Sequence, residues 1–148
     1  MSKILKYSIF TIFFIMALMP YGRADEPVAE VSIEALPPSV VKTIPQCGDD
    51  SVDPSLTEIS VTFSKEMKVV EHCWSWCSIS EESFPQTTGS PEFKPDKRTC
   101  VLPVKLEPEK TYAIWFNVDQ FKSFQDPEAH PSVPYLLVFK TGPEKESK

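Results

Sequence analysis

Glycine is scarce, with four in 148 residues. A phosphate-cradling loop or a dinucleotide fingerprint places several glycines in one turn, so neither fits on this chain. The glycine-flanked serine of a nucleophile elbow is missing too. There are two histidines, His72 and His130, in separate loops, and no second Cys/His pair follows at the spacing of a closed zinc site. Basic residues never cluster. An acidic chain without a Lys/Arg patch repels phosphate backbones, which excludes nucleic acid as a partner. Long hydrophobic runs are also lacking. The apolar stretch from Tyr7 to Met19 is about 13 residues, short of the roughly 20 that cross a bilayer. These absences remove the usual means of positioning a nucleophile, a base or a cofactor. The expectation is a protein that is not an enzyme and carries no cofactor.

What is present begins with a short basic start, Lys3 and Lys6, before that apolar stretch. Gly22-Arg23-Ala24 then puts small residues at −3 and −1 of a cleavage point before Asp25. This is the layout of a secretory signal peptide over 1–24. Cleavage leaves no stable membrane span and takes the 15 basic residues to 12 against 21 acidic ones, a formal charge of −9. An exported chain is free to form disulfides. The expected compartment is the periplasm, the cell surface or the outside.

Residues 25–37 are acidic and proline-rich and read as a flexible linker; 143–148 reads as a polar tail. Between them, prolines recur too often for long helices, since each lacks an N–H and clashes with the preceding turn. Short runs rich in Val, Ile, Thr and aromatics stand between turn residues. Seven strands are expected: 40–44, 57–63, 73–79, a short one near 92–93, 99–106, 111–118 and 135–141. In the second, Ile59, Val61 and Phe63 alternate with Ser60 and Thr62, the period-2 mark of one buried face. The class is all-β, a seven-stranded antiparallel Ig-like β-sandwich over 38–142.

Leu106-Glu107-Pro108-Glu109-Lys110-Thr111-Tyr112 has the form L-x-P-x-x-x-Y between two strands. In sandwiches a tyrosine here folds back on the preceding corner through its hydroxyl. Leu106, Pro108 and Tyr112 are therefore assigned a structural role. Together with Pro38, Val41 to Pro45, Gly48 and the run Val52 to Met67, and with Leu137 to Gly142, this corner resembles the bacterial Ig-like domains of the S-layer-protein type. The resemblance covers about residues 38–142, and its motifs are turns, core positions and strand ends. It implies a module or spacer of an exported protein, with no catalytic set to carry over. Cys47, Cys73, Cys77 and Cys100 depart from the family's pattern.

Two of those cysteines lie in His72-Cys73-Trp74-Ser75-Trp76-Cys77. Four cysteines allow three pairings. In an Ig-like order Cys47 lies at the opposite end from the other three, beyond the ~4.4–6.8 Å Cα separation of a bridge. A Cys73–Cys77 disulfide is expected if residues 73–77 turn, with Cys77–Cys100 as the other pairing; Cys100 is then a buried thiol and Cys47 a free one. Copper or zinc handling through His72, Cys73 and Cys77 is a separate reading, because soft thiolates suit copper(I) and Cys/His suits zinc.

Trp74 and Trp76 share a face if the third strand is straight. They either fill the core or form a solvent-facing strip that continues to Trp115. Exposed tryptophans favour sugar faces and protein partners. Phe121 and Phe124 stand in a long loop that either caps one end of the sandwich or binds. Trp74, Trp76, Trp115, Phe121 and Phe124 are the candidate binding residues. The functional expectation is a non-catalytic interaction or structural module that meets an unknown protein or glycan of the cell envelope, with carbohydrate binding or metal handling as alternatives.

Overall fold

The computed structural model describes residues 31–144. The expected signal peptide, most of the linker's acidic start and the end of the polar tail lie outside the described residues. Among the described residues eight strands are formed: β1 (Val40–Ile44), β2 (Glu58–Phe63), β3 (Trp76–Ser78), β4 (Gln86–Thr87), β5 (Glu92–Phe93), β6 (Thr99–Lys105), β7 (Thr111–Phe116) and β8 (Tyr135–Lys140). All strand pairs are antiparallel. One sheet runs β1-β2-β6-β4 with β5 also on β6; the other runs β3-β7-β8. No helix among the described residues is long and apolar enough to cross a membrane.

This is an all-β sandwich with one strand more than the sequence predicts. The extra strand, β4, has two residues and no alternation to reveal it. It forms because β6 is longer than β5. β5 pairs with Val101 and Cys100, and β4 with Lys105 and Val104. Pro103 falls between the two pairings. Val104 N–H bonds Thr57 O at 2.8 Å, so the alternation of the ladder turns the missing N–H of Pro103 away from β2, towards the gap between β5 and β4. A proline is thereby held inside a strand flanked on both sides, with no ladder bond lost on the β2 side.

The core lies between the sheets. Ile59, Val61 and Phe63 of β2, Cys100, Leu102 and Val104 of β6, Tyr112, Ile114 and Phe116 of β7, and Leu137 and Phe139 of β8 are all buried. Each set alternates with more exposed neighbours, as one buried sheet face requires. Tyr112 closes the expected corner: its hydroxyl accepts a hydrogen bond from Glu107 N–H at 2.8 Å. The Thr141 hydroxyl donates to Glu107 O at 2.6 Å from the other side. Leu106 is buried and Pro108 turns on the surface.

Candidate functional site

One end of the sandwich is covered by two segments, 64–75 and 117–134. Asn117 holds the second. It follows β7 with a φ of 58°, a conformation that asparagine tolerates better than most residues. Its buried side chain donates to Phe124 O (2.9 Å), Ser132 O (3.2 Å) and Ser132 Oγ (2.8 Å), and accepts from Phe124 N–H (3.1 Å). Phe124 is thereby driven into the core, its ring 5.0 Å from Phe63 and 6.1 Å from Trp76. Asp126, fully buried, joins the two segments. It accepts from Lys65 Nζ at 2.6 Å, from His130 N–H at 2.8 Å, and lies 3.0 Å from His130 Nδ1. Burial pushes its carboxyl pKa up, but the bonds from Lys65 and from the backbone and ring of His130 outweigh burial and hold it below the ordinary value.

Asp126, Glu128 and His130 bring ligand atoms within 4.8 Å of one another. The Asp126 oxygens already carry the Lys65 ammonium and the His130 backbone and ring. The arrangement is that of a closed ion-pair clasp with an ammonium where a cation would sit.

The HCWSWC stretch divides at its middle. His72, at a φ of 61°, ends a turn in which Cys73 N–H bonds Val70 O (3.2 Å) and Val70 N–H points at Cys73 Sγ (3.3 Å). Only from Trp76 onward is there a strand, so the expected third strand is shorter by its first three residues and its last. Cys73 is buried and Cys77 half-buried, and all four cysteines are free. The expected Cys73–Cys77 bridge is not formed. The turn it needs falls before Cys73, and residues 74–77 extend. The other pairing, Cys77–Cys100, is prevented by orientation. Cys100 faces the core and Cys77 lies across from Trp115 on the outer face. His72 is exposed beside Glu71, and among the described residues the ligand atoms of His72, Cys73 and Cys77 do not gather within reach of one ion.

Trp76 faces inward, edge-on to Phe116 at 4.8 Å. Its indole N–H is buried and has no hydrogen-bond partner of ordinary geometry among the described residues. The Cys100 thiol lies on that side. Burial pushes this thiol up to about 12, against a smaller pull down from the Trp76 N–H, with Cys73 near enough to add to the rise.

The five candidate binding residues separate. Phe124 is core. Trp76 lies opposite Phe116 and Trp115 opposite Cys77, so Trp76 and Trp115 sit on opposite faces of the small sheet and the strip of three tryptophans is not formed. Trp74 and Phe121 instead line one surface cleft, open and of about 380 Å³, together with Trp76, Ser75, Cys77, Ser78 and Ser123. The Ser75 hydroxyl donates to Phe121 O at 3.0 Å and fixes that wall. Phe121 is 59% exposed, a large apolar group left in solvent.

The cleft runs along the free edge of β3. Asn117 N–H bonds Ser75 O at 3.2 Å, which sets the phase of the ladder. Ser75 and Cys77 turn their backbone groups towards β7, and Trp76 and Ser78 turn theirs away from it. No hydrogen bond among the described residues uses the N–H or C=O of Trp76 or Ser78. The opposite edge, β8, is covered: Gly48 N–H bonds Val138 O (2.7 Å) and Lys140 N–H bonds Asp49 O (2.8 Å). The edge groups of β3 and the role of Asn117 escape sequence reasoning. The one sequence signal for the latter is the tolerance of asparagine for positive φ.

No family model matches the chain, and no curated protein matches it. Among solved structures, the chain is similar to the S-layer protein rSbsC(31-844), at 19% identity and a TM-score of 0.47. It is similar at 20% identity and the same TM-score of 0.47 to the N-terminal part of the bacterial S-layer protein SbsC. Domains 1–6 of surface layer protein SbsC match at 17% identity and a TM-score of 0.42. Each match covers 74% of this chain and 14%, 24% and 14% of the respective S-layer chains, so it spans a small part of their length. The sandwich assignment rests on the strand pairing described above.

Proposed function

We propose that this protein is an exported, non-catalytic Ig-like module of the S-layer-protein type that binds at the cell envelope through the β3-edge cleft. The observation that carries this reading is the cleft itself. Phe121 stands in solvent and Trp74 is half-buried beside an unpaired strand edge, while Phe124 and Trp76 pack inward. Large aromatics held on a rigid sandwich give contact area at low entropic cost. The opening residues 1–24 support export, and the corner at Leu106 to Tyr112 supports the module type. Ser78 and Ser123 in the same wall favour carbohydrate as the second reading, since hydroxyls beside an aromatic face suit a sugar ring.

The test is cosedimentation of the purified exported protein with envelope material from the source cell, compared with a Trp74→Ala/Phe121→Ala double variant. The expected outcome is a loss of binding of at least about tenfold with unchanged circular dichroism, since two such contacts are each worth over ~1 kcal/mol. Equal binding by the folded double variant would remove the cleft from the reading.

A further inference from the structure

The partner that the β3 edge fits by its own pattern is a second copy of itself. The outward groups belong to Trp76 and Ser78, with Cys77 between them. Antiparallel pairing about a two-fold axis at Cys77 sets Trp76 opposite Ser78 of the partner subunit, and Ser78 opposite Trp76 of the partner subunit. Both are hydrogen-bonded pairs, because the free groups on each side are N–H and C=O of the same two residues. Cys77 then faces Cys77 of the partner subunit as a non-hydrogen-bonded pair, with Cα atoms roughly 4.5 Å apart, inside the range of a disulfide. Cross-strand neighbours share a face, and the half-buried Cys77 side chain stands on the outer face of the sheet.

Two further features agree. The same axis places Ile79 opposite Ser75 of the partner subunit. Ser75 is the residue that holds Phe121 through its hydroxyl. Ile79 is 58% exposed and Phe121 is 59% exposed. Pairing would bring these two apolar groups together on each side of the axis. The edge itself is bare of the devices that discourage pairing, since β3 carries no proline, lysine or bulge.

We infer that two copies join their β3 edges into one six-stranded sheet, and that in an oxidising compartment Cys77 locks the pair as an intermolecular disulfide. The two Cys77 thiols give up two protons and two electrons to a disulfide oxidant, which is reduced to two thiols while the new S–S bond forms. The inference rests on reading this edge as the binding surface. It adds that the occupant is the chain itself.

The experiment is incubation of the exported protein with oxidised glutathione, followed by non-reducing electrophoresis, disulfide mapping and sedimentation. A covalent dimer mapped to Cys77–Cys77 is expected. Cys77→Ser should abolish it, and Cys47→Ser, at the exposed thiol, should form it as the unchanged protein does. Ser78→Pro removes an N–H that points away from β7, so the fold survives on an edge strand while the pairing does not. Cross-linking should slow at least tenfold in Ser78→Pro with its circular dichroism unchanged. Covalent dimers that persist in Cys77→Ser, a monomer carrying Cys73–Cys77, or equal rates in Ser78→Pro would each overturn the inference. A protein that stays monomeric yet loses envelope binding in the Trp74→Ala/Phe121→Ala variant would overturn self-pairing and leave the binding cleft standing. The reverse result would remove the envelope reading and keep the dimer.

Discussion

At the scale of single residues, Tyr112 serves the fold with both its ring and its hydroxyl. Its ring is buried against Phe139 at 5.3 Å, and its hydroxyl meets an amide that the turn at Pro108 leaves without a ladder partner. Tyr112→Phe keeps the ring and removes the acceptor. The amide of Glu107 then has to find water at an exposed corner, so the cost is that of one net hydrogen bond with partial desolvation, about 1–2 kcal/mol. Urea unfolding should show a lower midpoint with an unchanged slope. A changed slope would mean that the corner shapes the unfolded ensemble instead. This residue was legible in the sequence because the corner is local, five residues from acceptor to donor. The hydrogen bond from Ser75 to Phe121 O was not, because it depends on how a loop 46 residues downstream of Ser75 folds back, a contact that no alternation records.

At the scale of elements, alternation revealed β2, β6, β7 and β8, because apolar core residues recur at every second position in each. It misread β3. Trp74 and Trp76 satisfy the period, yet the turn that ends at His72 replaces the expected start of the strand, and pairing with β7 begins only after Trp74. The loop from 119 to 134 was expected either to cap or to bind; it buries Phe124 in the core and leaves Phe121 exposed. Asp126 is what ties this loop to the segment 64–75. Its carboxyl is held below its ordinary value, so the folded state binds its proton less readily than the unfolded chain does. The clasp therefore stabilises fully above the ordinary carboxylate range of about 4, and its contribution is lost as pH falls through the folded value. Asp126→Asn keeps the shape but removes the charge facing Lys65, which is 13% exposed. A loss of about 2–3 kcal/mol at pH 7 is expected, less at low pH, so that the stability curves of the two proteins converge in acid. Thermal melts from pH 2.5 to 7 measure this. Parallel curves would show that the carboxylate's charge is not what holds the loop.

At the scale of the whole molecule, the two sheets meet over one core, while the end that carries the cleft is closed by loops and two small polar clusters. Such an end opens more readily than the core, because its apolar contacts are fewer and its backbone bonds reach across long segments. The four free thiols sample this difference at four depths. Cys47 lies exposed beside β8, and its Sγ reaches Leu136 O at 3.5 Å. Cys77 is half-buried on the outer face. Cys73 is buried beneath the turn 70–73, and Cys100 is fully buried in the core with its thiol pushed up to about 12. Alkylation at pH 8 under reducing conditions should therefore label Cys47 first and Cys77 next. Cys73 should follow through local opening of the loop-covered end, with a weak dependence on urea. Cys100 needs both exposure and deprotonation, so its labelling should be slower than that of Cys47 by a factor of ~10³ or more and should follow the urea dependence of global unfolding. If Cys73 and Cys100 shared one urea dependence, the loops and the core would open together, and the cleft would sit on the most stable part of the molecule. Separate dependences would place the cleft on its softer end, where a partner strand gains by ordering what it touches and loses part of its binding energy in doing so.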